Sequence, residues 1–184
     1  MTEDISVLPV NISIELNFSK LHPYTTPEEV NRTARTMGTN HSWNELFNLT
    51  WQLHVDSQFD YLVRLHFCEF QPEVKAMGDR EFLIFIANQT SERAADVIKW
   101  SGGSGVPVYR DYAVSLFGIE SQKRVNLSIA IAADPLKWET RYSDAILNGI
   151  EIFKVNDTNG NLAGPNPNII QLTQPTAQSQ ITIE

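Results

Sequence analysis

The sequence has one cysteine, few basic residues and no long apolar run. Cys68 stands alone among 184 residues, which excludes an internal disulfide. No apolar stretch approaches the ~20 residues that a membrane-spanning helix needs. The acidic start, Met1–Asp4, has no apolar signal region behind it. These absences fit a cytoplasmic protein or a piece of a longer secreted chain.

Basic residues are outnumbered, with 14 Lys and Arg against 22 Asp and Glu and a net charge of −8. This balance argues against nucleic acid as a partner, because phosphate contacts need clustered Lys and Arg. It fits a basic peptide or protein partner, although acidity is also a common solubility device. The length suits one domain with a substantial core.

Glycosylation motifs are abundant. Fourteen Asn and 26 Ser or Thr residues in 184 positions predict about two Asn-x-Ser/Thr triplets by chance, and the sequence has eight. This excess predicts a secreted glycoprotein with acceptors at Asn11, Asn17, Asn31, Asn40, Asn48, Asn88, Asn126 and Asn156.

Two of these asparagines fall in alternating patterns. In Phe47–Val55 and again in Val125–Ile131, apolar residues occupy every second position. Period two indicates half-buried strands, which places Asn48 and Asn126 on the solvent-facing side where a glycan can be attached.

One helix is predicted near the start of the chain. Thr26 can cap it, Pro27 suits the first helical position, and Glu29 completes a capping box. The helix is expected to run over about residues 27–37 and to end at Gly38.

The rest of the chain is predicted to be short strands separated by turns, which is typical of a sandwich or jelly roll. Phe82–Ile86 is apolar on both faces and is expected to be a central strand. The predicted strands are Leu46–Val55, Tyr61–Phe70, Glu81–Ala87, Ala95–Trp100, Asp111–Phe117, Arg124–Ala132 and Ala145–Val155.

Catalytic patterns are weak. Gly103-Ser104-Gly105 lacks the third glycine of a phosphate-binding loop, and no His-Arg-Asp or Asp-Phe-Gly triplet exists, so a kinase function is excluded for this chain. A glycosidase needs two carboxylates facing one another, and spacing cannot exclude this for Glu69, Asp79, Glu81 and Asp144. No cofactor is expected.

Histidines and the cysteine are assigned structural roles. The scattered histidines lack a Cys partner at ligand spacing, so no metal site is expected at His22, His41, His54 or His66. Cys68 lies on the predicted face of Leu62 and Phe70, which favours a buried thiol over a bond to a cysteine outside this chain.

Aromatic residues near loops are candidate sugar platforms, because a ring face matches the apolar face of a sugar. Packing at strand ends is the alternative for Trp100, Tyr109, Tyr112, Trp138 and Tyr142. The stretch from Ser101 to Tyr112 is the best candidate for ligand binding, since Tyr and Arg often anchor interfaces. Trp100, Tyr109, Arg110 and Tyr112 are the predicted contacts, unless Tyr112 begins a core strand.

Several phrases occur together in the order typical of one receptor family. They are Tyr24-Thr25-Thr26-Pro27-Glu28-Glu29-Val30-Asn31-Arg32-Thr33-Ala34-Arg35, Asn48-Leu49-Thr50-Trp51, Tyr61-Leu62-Val63-Arg64-Leu65-His66-Phe67-Cys68-Glu69, Asp111-Tyr112, Leu147-Asn148-Gly149-Ile150-Glu151-Ile152-Phe153-Lys154 and Gly160-Asn161-Leu162-Ala163-Gly164-Pro165-Asn166-Pro167. Over roughly residues 22–168 the chain resembles the malectin-like ectodomains of the Catharanthus-type receptor kinases of plants, the FERONIA, ANXUR and THESEUS group. The ending is similar to that of the second, membrane-proximal domain.

The resemblance implies an all-β, malectin-like jelly-roll β-sandwich with one short N-terminal helix. It divides the chain into the end of an inter-domain linker (1–21), the malectin-like domain (22–160) and a disordered juxtamembrane tail (161–184). It implies that the chain is located at the extracellular side of the plasma membrane. Other parts of a parent serine/threonine receptor kinase, which this chain lacks, would attach it to the membrane.

For function, the resemblance implies binding of a rapid alkalinization factor type peptide and a lipid-anchored co-receptor, with cell-wall polysaccharide as a further ligand. The alternatives are a stand-alone carbohydrate-binding module and a structural spacer without its own ligand.

Overall fold

The structure is a computed structural model, and it describes residues 7–117, 123–134 and 140–162. A short 3₁₀ turn covers Pro23–Thr25. The helices are α1 (Glu28–Asn31), α2 (His41–Asn44) and α3 (Val97–Ser101), and each is about one turn long. The strands are β1 (Arg35–Thr36), β2 (Leu49–Asp56), β3 (Phe59–Phe67), β4 (Phe82–Ile86), β5 (Gln89–Ala95), β6 (Val108–Ser115), β7 (Arg124–Ala133), β8 (Ile146–Leu147) and β9 (Gly149–Asp157).

Two antiparallel sheets form the body of the domain. One has the strand order β2-β7-β4-β5, the other has the order β6-β3-β9, and β1 and β8 form a small separate pair. The expectation of an all-β sandwich is confirmed, and its few helices are short.

The core lies between the two sheets. Alternate residues of β3, namely Val63, Leu65 and Phe67, are completely buried, and so are Ile84 and Leu127 on the opposite sheet. Burying each such side chain contributes about 1.5–3 kcal/mol. The period-two pattern of β3 therefore fixes which of its faces packs inward and which faces out.

Three predictions depend on the pattern of apolar residues along a strand, and the structure agrees with each. Phe82–Ile86 forms β4, which lies between β7 and β5. Asn48, just before β2, and Asn126, on β7, are both exposed. The other predicted strands overlap the observed ones, except for the segment Ala95–Trp100.

The predicted helix over residues 27–37 is too long. The helix α1 ends at Asn31, and Thr26 does not cap it, because its hydroxyl lies 2.9 Å from His66 Nδ1. Beyond the helix, Arg35–Thr36 pairs with β8, and the Asn148 side chain donates to the Thr33 carbonyl at 2.8 Å. Tertiary hydrogen bonds thus take over the backbone that local propensity assigns to a helix.

The predicted strand Ala95–Trp100 is also wrong. Asp96 caps α3 by accepting from the Lys99 backbone N–H at 2.9 Å, and the helix ends at Gly102 with φ of +88°. The strand in this region is the preceding β5, which pairs with β4 and is the last strand of its sheet among the described segments. Six of the seven residues of β5 are exposed or half-buried and only Ala95 is buried, so no apolar alternation marks this strand in the sequence.

The chain before residue 22 lies against the domain. Val7 and Val10 form bridges with Thr36 and Thr33, and the Asn17 N–H donates to the Gly105 carbonyl at 2.8 Å. The domain boundaries given above stay a prediction. Residues 163–184, nearly all of the expected tail, lie outside the described residues.

Candidate ligand-binding groove

Three of the four predicted contact residues meet in one groove of about 470 Å³. Trp100 comes from α3, while Tyr109 and Arg110 come from the start of β6. The opposite wall is a loop remote in sequence. The lining residues are Lys20, Leu21, His22, Thr25, Trp100, Val108, Tyr109 and Arg110.

Trp100 forms an ordered aromatic wall. Its ring lies edge-on to Phe67 of the core, with the centroids 5.3 Å apart. The Arg110 guanidinium lies over the Trp100 ring at 5.1 Å, and its Nη2 is 3.7 Å from Glu92 Oε2. The cation–π contact and the ion pair restrain Arg110 at the groove.

Tyr109 is held on the other side. Its side chain is 38% exposed. The Arg64 guanidinium lies 3.8 Å from the Tyr109 ring centroid, and the His66 ring meets it at 6.2 Å. These contacts hold the ring, with Arg64 against one face, and leave part of the side chain exposed, which suits an interface anchor.

Tyr112 is separate from the other three. It is half-buried against the core, next to Val114, and does not line the groove. Burial, together with the nearby Glu92 carboxylate, raises the pKa of its phenol. Tyr112 therefore does not share the groove with Trp100, Tyr109 and Arg110, which agrees with the alternative that it belongs to a core strand.

The groove is basic in an acidic protein. Lys20, His22 and Arg110 line it, and none of its described lining residues is acidic. His22 is stacked on Tyr24 with ring centroids 5.1 Å apart. Sequence reasoning missed Lys20 and His22, because no local pattern connects residues 20–25 with β6. Aromatic faces beside cations can bind a peptide or a hydroxyl-rich or anionic ligand.

A larger apolar cavity of about 590 Å³ lies beside β2 and β9, which are the end strands of the two sheets in the described part of the chain. Its walls include Trp51, Leu53, Ile150 and Ile152. Few convergent polar groups line it, so the groove at Trp100 is the stronger candidate for specific recognition.

The carboxylates considered for glycoside hydrolysis have another role. Glu69 and Asp144 are buried and both bond to one guanidinium, that of Arg80, whose Nε lies 2.6 Å from Asp144 Oδ1. Burial raises the pKa of both carboxyls, against the lowering effect of Arg80. Asp79 accepts backbone N–H bonds from Lys75 and Ala76, at 2.9 Å each, which lower its pKa.

A hydrolytic pair needs open space between its carboxylates for the sugar. A guanidinium fills the space between Glu69 and Asp144, so these two carboxylates form a structural cluster. The arrangement that spacing left open for this pair, two carboxylates facing one another across a cleft, is not the one that the structure has.

The histidines and Cys68 have separate environments. His66 is buried, with Nε2 2.7 Å from Glu151 Oε2, whereas His41 lies beside Glu45 at the surface. Cys68 is free and buried, and burial, aided by Glu69, raises the pKa of its thiol to about 12.

Two candidate sugar platforms remain. Tyr142 is half-buried, with the Arg141 guanidinium 5.4 Å from its ring, and lies outside the groove. Trp138 lies outside the described residues.

Seven of the eight predicted glycan acceptors have accessible surface. Asn17, Asn40, Asn48, Asn88 and Asn126 are exposed, and Asn11 and Asn156 are partly so. Asn31 is the exception, because it is 1% exposed at the end of α1. A buried carboxamide cannot carry a sugar in this fold, so Asn31 is removed from the predicted acceptors.

Among the helices of the described segments, none is long and apolar enough to cross a membrane.

Comparison with known proteins identifies the domain. The family model described as "Malectin-like domain" matches residues 4–155. The receptor-like protein kinase FERONIA of Arabidopsis thaliana is 44% identical over 144 residues, which are 78% of this chain and 16% of FERONIA. The receptor-like protein kinase ANXUR2 of the same plant is 39% identical over 163 residues, 87% of this chain and 18% of ANXUR2.

Solved structures of receptor ectodomains have a fold similar to that of this chain. A crystal structure of the plant receptor-like kinase FER has a TM-score of 0.81 and 39% identity, covering 89% of this chain and 43% of that one. A structure of the plant peptide RALF23 in complex with FER and LLG2 has a TM-score of 0.80 and 38% identity, covering 91% of this chain and 44% of that one. The crystallised ANX2 ectodomain from Arabidopsis thaliana has a TM-score of 0.80.

This chain therefore spans less than a fifth of these two receptor kinases and less than half of the solved chains. The matched region is ectodomain, and the kinase domain lies outside it. On the family model, the sequence identities and the shared fold, the chain belongs to the malectin-like domain family and is homologous to the ectodomains of FERONIA- and ANXUR-type receptor-like kinases.

Proposed function

We propose that this chain is an extracellular ligand-recognition domain of a plant receptor-like kinase, and that it binds a signalling peptide and a co-receptor protein. The observation that carries the proposal is the groove, which brings Trp100, Tyr109 and Arg110 together from two elements. Their rings and guanidinium are held by neighbours and remain accessible. Binding then requires little ordering of side chains, which favours affinity.

The comparison with solved structures supports this choice of ligand class. FER, which has the same fold as this chain, was crystallised with a peptide, RALF23, and with the protein LLG2. A lipid anchor on the co-receptor, and a serine/threonine kinase in the parent protein, belong to the same proposal.

The extracellular location also belongs to the proposal and has its own test. Secreted from insect cells, the domain is expected to carry N-linked glycans at Asn48 and Asn126, whose side chains are exposed. Peptide mass mapping with and without glycosidase reads the occupancy, with Asn31 as the internal negative control. Unmodified Asn48 and Asn126 would contradict the proposed compartment.

The binding test uses RALF23 and LLG2, alone and together, as probes in calorimetry with the secreted domain. The double substitution Y109A/R110A is expected to weaken binding by about 1–3 kcal/mol in total, because both side chains are accessible anchors. The free energy of unfolding is expected to change by less than about 0.5 kcal/mol for each exposed position.

Arg141 and Tyr142 provide a matched control. They form a similar Arg–Tyr contact, with 5.4 Å between guanidinium and ring, outside the groove. R141A/Y142A is expected to bind like the unmodified domain. Equal affinities for both double variants would remove the groove from the site, and no binding of any probe by the unmodified domain would contradict the proposed function.

Carbohydrate is a second candidate ligand, favoured by the basic lining of the groove around the Trp100 ring. An acidic wall oligosaccharide, such as an oligogalacturonide, is the probe, with a neutral cello-oligosaccharide for comparison. W100A is expected to abolish binding of the acidic probe, since the ring provides the stacking face. A domain that binds neither sugar nor protein would be a spacer.

A further inference from the structure

The sheet β6-β3-β9 has a second candidate surface on the side that faces away from the core. We call it the outer face and define it by Leu62, Arg64, Asp111, Glu151 and Phe153; Tyr109 lies at its boundary with the groove. In the strand register Arg64 lies between Asp111 and Glu151, and Leu62 lies between Ala113 and Phe153. Neighbouring inward residues of β3, such as Val63 and Leu65, are fully buried.

Side chains of the outer face contact one another across the strands. Arg64 Nε and Nη2 donate to the two carboxylate oxygens of Asp111, each at 2.8 Å. The same guanidinium lies 3.8 Å from the Tyr109 ring centroid and 5.7 Å from that of Phe153. Phe153 is nevertheless 42% exposed. An accessible aromatic residue beside a fixed Arg is typical of the centre of a protein interface.

The glycan acceptors are distributed unequally between the two sheets. On the four-stranded sheet, Asn126 lies on the solvent side of β7, Asn48 precedes β2, and Asn88 lies in the β4–β5 hairpin. On the three-stranded sheet, the acceptor is Asn156, which pairs with Asp60 near the end of β9. Glycans would thus cover the first sheet, whereas on the second sheet a glycan at Asn156 would lie at the Asp60 end of the outer face and leave its centre, around Arg64 and Phe153, open to another protein.

Charge indicates the chemistry of that protein. Asp60, Asp111 and Glu151 accompany a single Arg64 on this side of the sheet, which leaves an excess of two negative charges. The groove described above is basic, so the two surfaces favour ligands of opposite charge.

We propose that the outer face docks a protein partner that presents basic side chains around an apolar one, as a site distinct from the groove. The inference rests on the proposed function, because it needs an extracellular, glycosylated domain with protein partners. Basic groups of the partner face Asp111 and Glu151, and its apolar group packs on Phe153.

A glycan placed on the outer face tests the proposal. Ala113 is exposed on β6, in the row of Leu62 and Phe153, and Ser115 follows two residues later. A113N therefore creates an Asn-x-Ser acceptor in the middle of the surface. With the same peptide and co-receptor probes, we expect the glycosylated variant to lose at least tenfold in affinity for one of them.

Two variants control for other causes. A113Q changes the same position without creating an acceptor, and N126Q removes a glycan from the opposite sheet; both are expected to bind normally. Enzymatic removal of the new glycan is expected to restore affinity. D111N is expected to lower the affinity for the basic partner, because it removes one negative charge. The affinity of D111N should also change less with salt concentration than that of the unmodified domain.

The outcomes separate the two proposals. No binding by the unmodified domain contradicts the proposed function and the outer face together. Normal binding by fully glycosylated A113N, with loss in R110A, which leaves Tyr109 and the outer face in place, overturns the outer face and leaves the groove. Loss in A113N that glycan removal restores supports docking at the outer face.

Discussion

Two arginines of this domain each bind carboxylates, and the difference between them is their burial. Arg80 is buried and bonds to Glu69 and Asp144, which come from segments far apart in the chain. Arg64 lies on the outer face, bonds to Asp111 across adjacent strands and stays partly accessible. Ion pairs deep in a protein are costly to break, whereas exposed pairs add little stability. The first therefore holds segments of the fold together, and the second is available for recognition.

The largest expected difference follows from removing each guanidinium. R80M leaves two buried carboxylates without their cation and is expected to lower the free energy of unfolding by about 3–5 kcal/mol. R64M, the matched substitution at the surface, is expected to lower it by at most about 1 kcal/mol. Urea unfolding followed by tryptophan fluorescence measures both. Similar values for the two variants would contradict the comparison.

The pH dependence of stability is the next expected effect. Burial raises the pKa of Glu69 and Asp144 above their ordinary values of about 4, which the unfolded chain retains. In the window between the ordinary and the raised pKa, the folded domain binds more protons than the unfolded chain. Stability therefore falls as pH rises through that window, by at most about 1.4 kcal/mol per pH unit for each proton.

Two variants separate this effect from others. E69Q is expected to flatten the decrease, because the amide does not titrate. Asp79 has the opposite sign: backbone hydrogen bonds lower its pKa, so its contribution is lost as pH falls through the lowered value. D79N is expected to change only that acidic part of a stability curve. An unchanged curve in E69Q would refute the assignment to the buried cluster.

Added salt is expected to have the smallest effect. A double-mutant cycle between Arg64 and Asp111 measures the coupling free energy of this ion pair. We expect about 0.2–1 kcal/mol at low salt. The coupling should be smaller at 1 M salt, because the screening length there is about 3 Å. Coupling between Arg80 and Asp144 should hardly respond, because buried pairs are screened much less. A strong salt response at Arg80 would indicate that water reaches the cluster.

The sequence predicts the sheets better than the connections between them. Alternation of apolar and polar residues in β2 and β7 reflects which face is buried, so the exposed positions of Asn48 and Asn126 follow from it. The segment after α1 could not be predicted, because its backbone pairs with residues more than a hundred positions away, as in the contact of Thr33 with Asn148. Local propensity carries no information about such partners.

In the candidate site, too, some residues can be predicted from the sequence and others are brought together only by the fold. Trp100, Tyr109 and Arg110 were predicted from residue type, because aromatic and Arg side chains near a loop are common anchors. Lys20 and His22 join them only through folding. The buried Asn31 shows the limit of motif counting, since a glycosylation triplet does not reveal whether its asparagine packs inside.

The single thiol offers an internal reporter. Cys68 is fully buried between β3 and the Arg80 cluster, and its backbone N–H donates to Asn148 Oδ1 at 2.8 Å. A thiol with a pKa of about 12 hardly reacts with alkylating reagents until it meets water. The rate of alkylation therefore reports how often this end of the sandwich opens transiently. No engineered label is needed, because the chain contains no other cysteine.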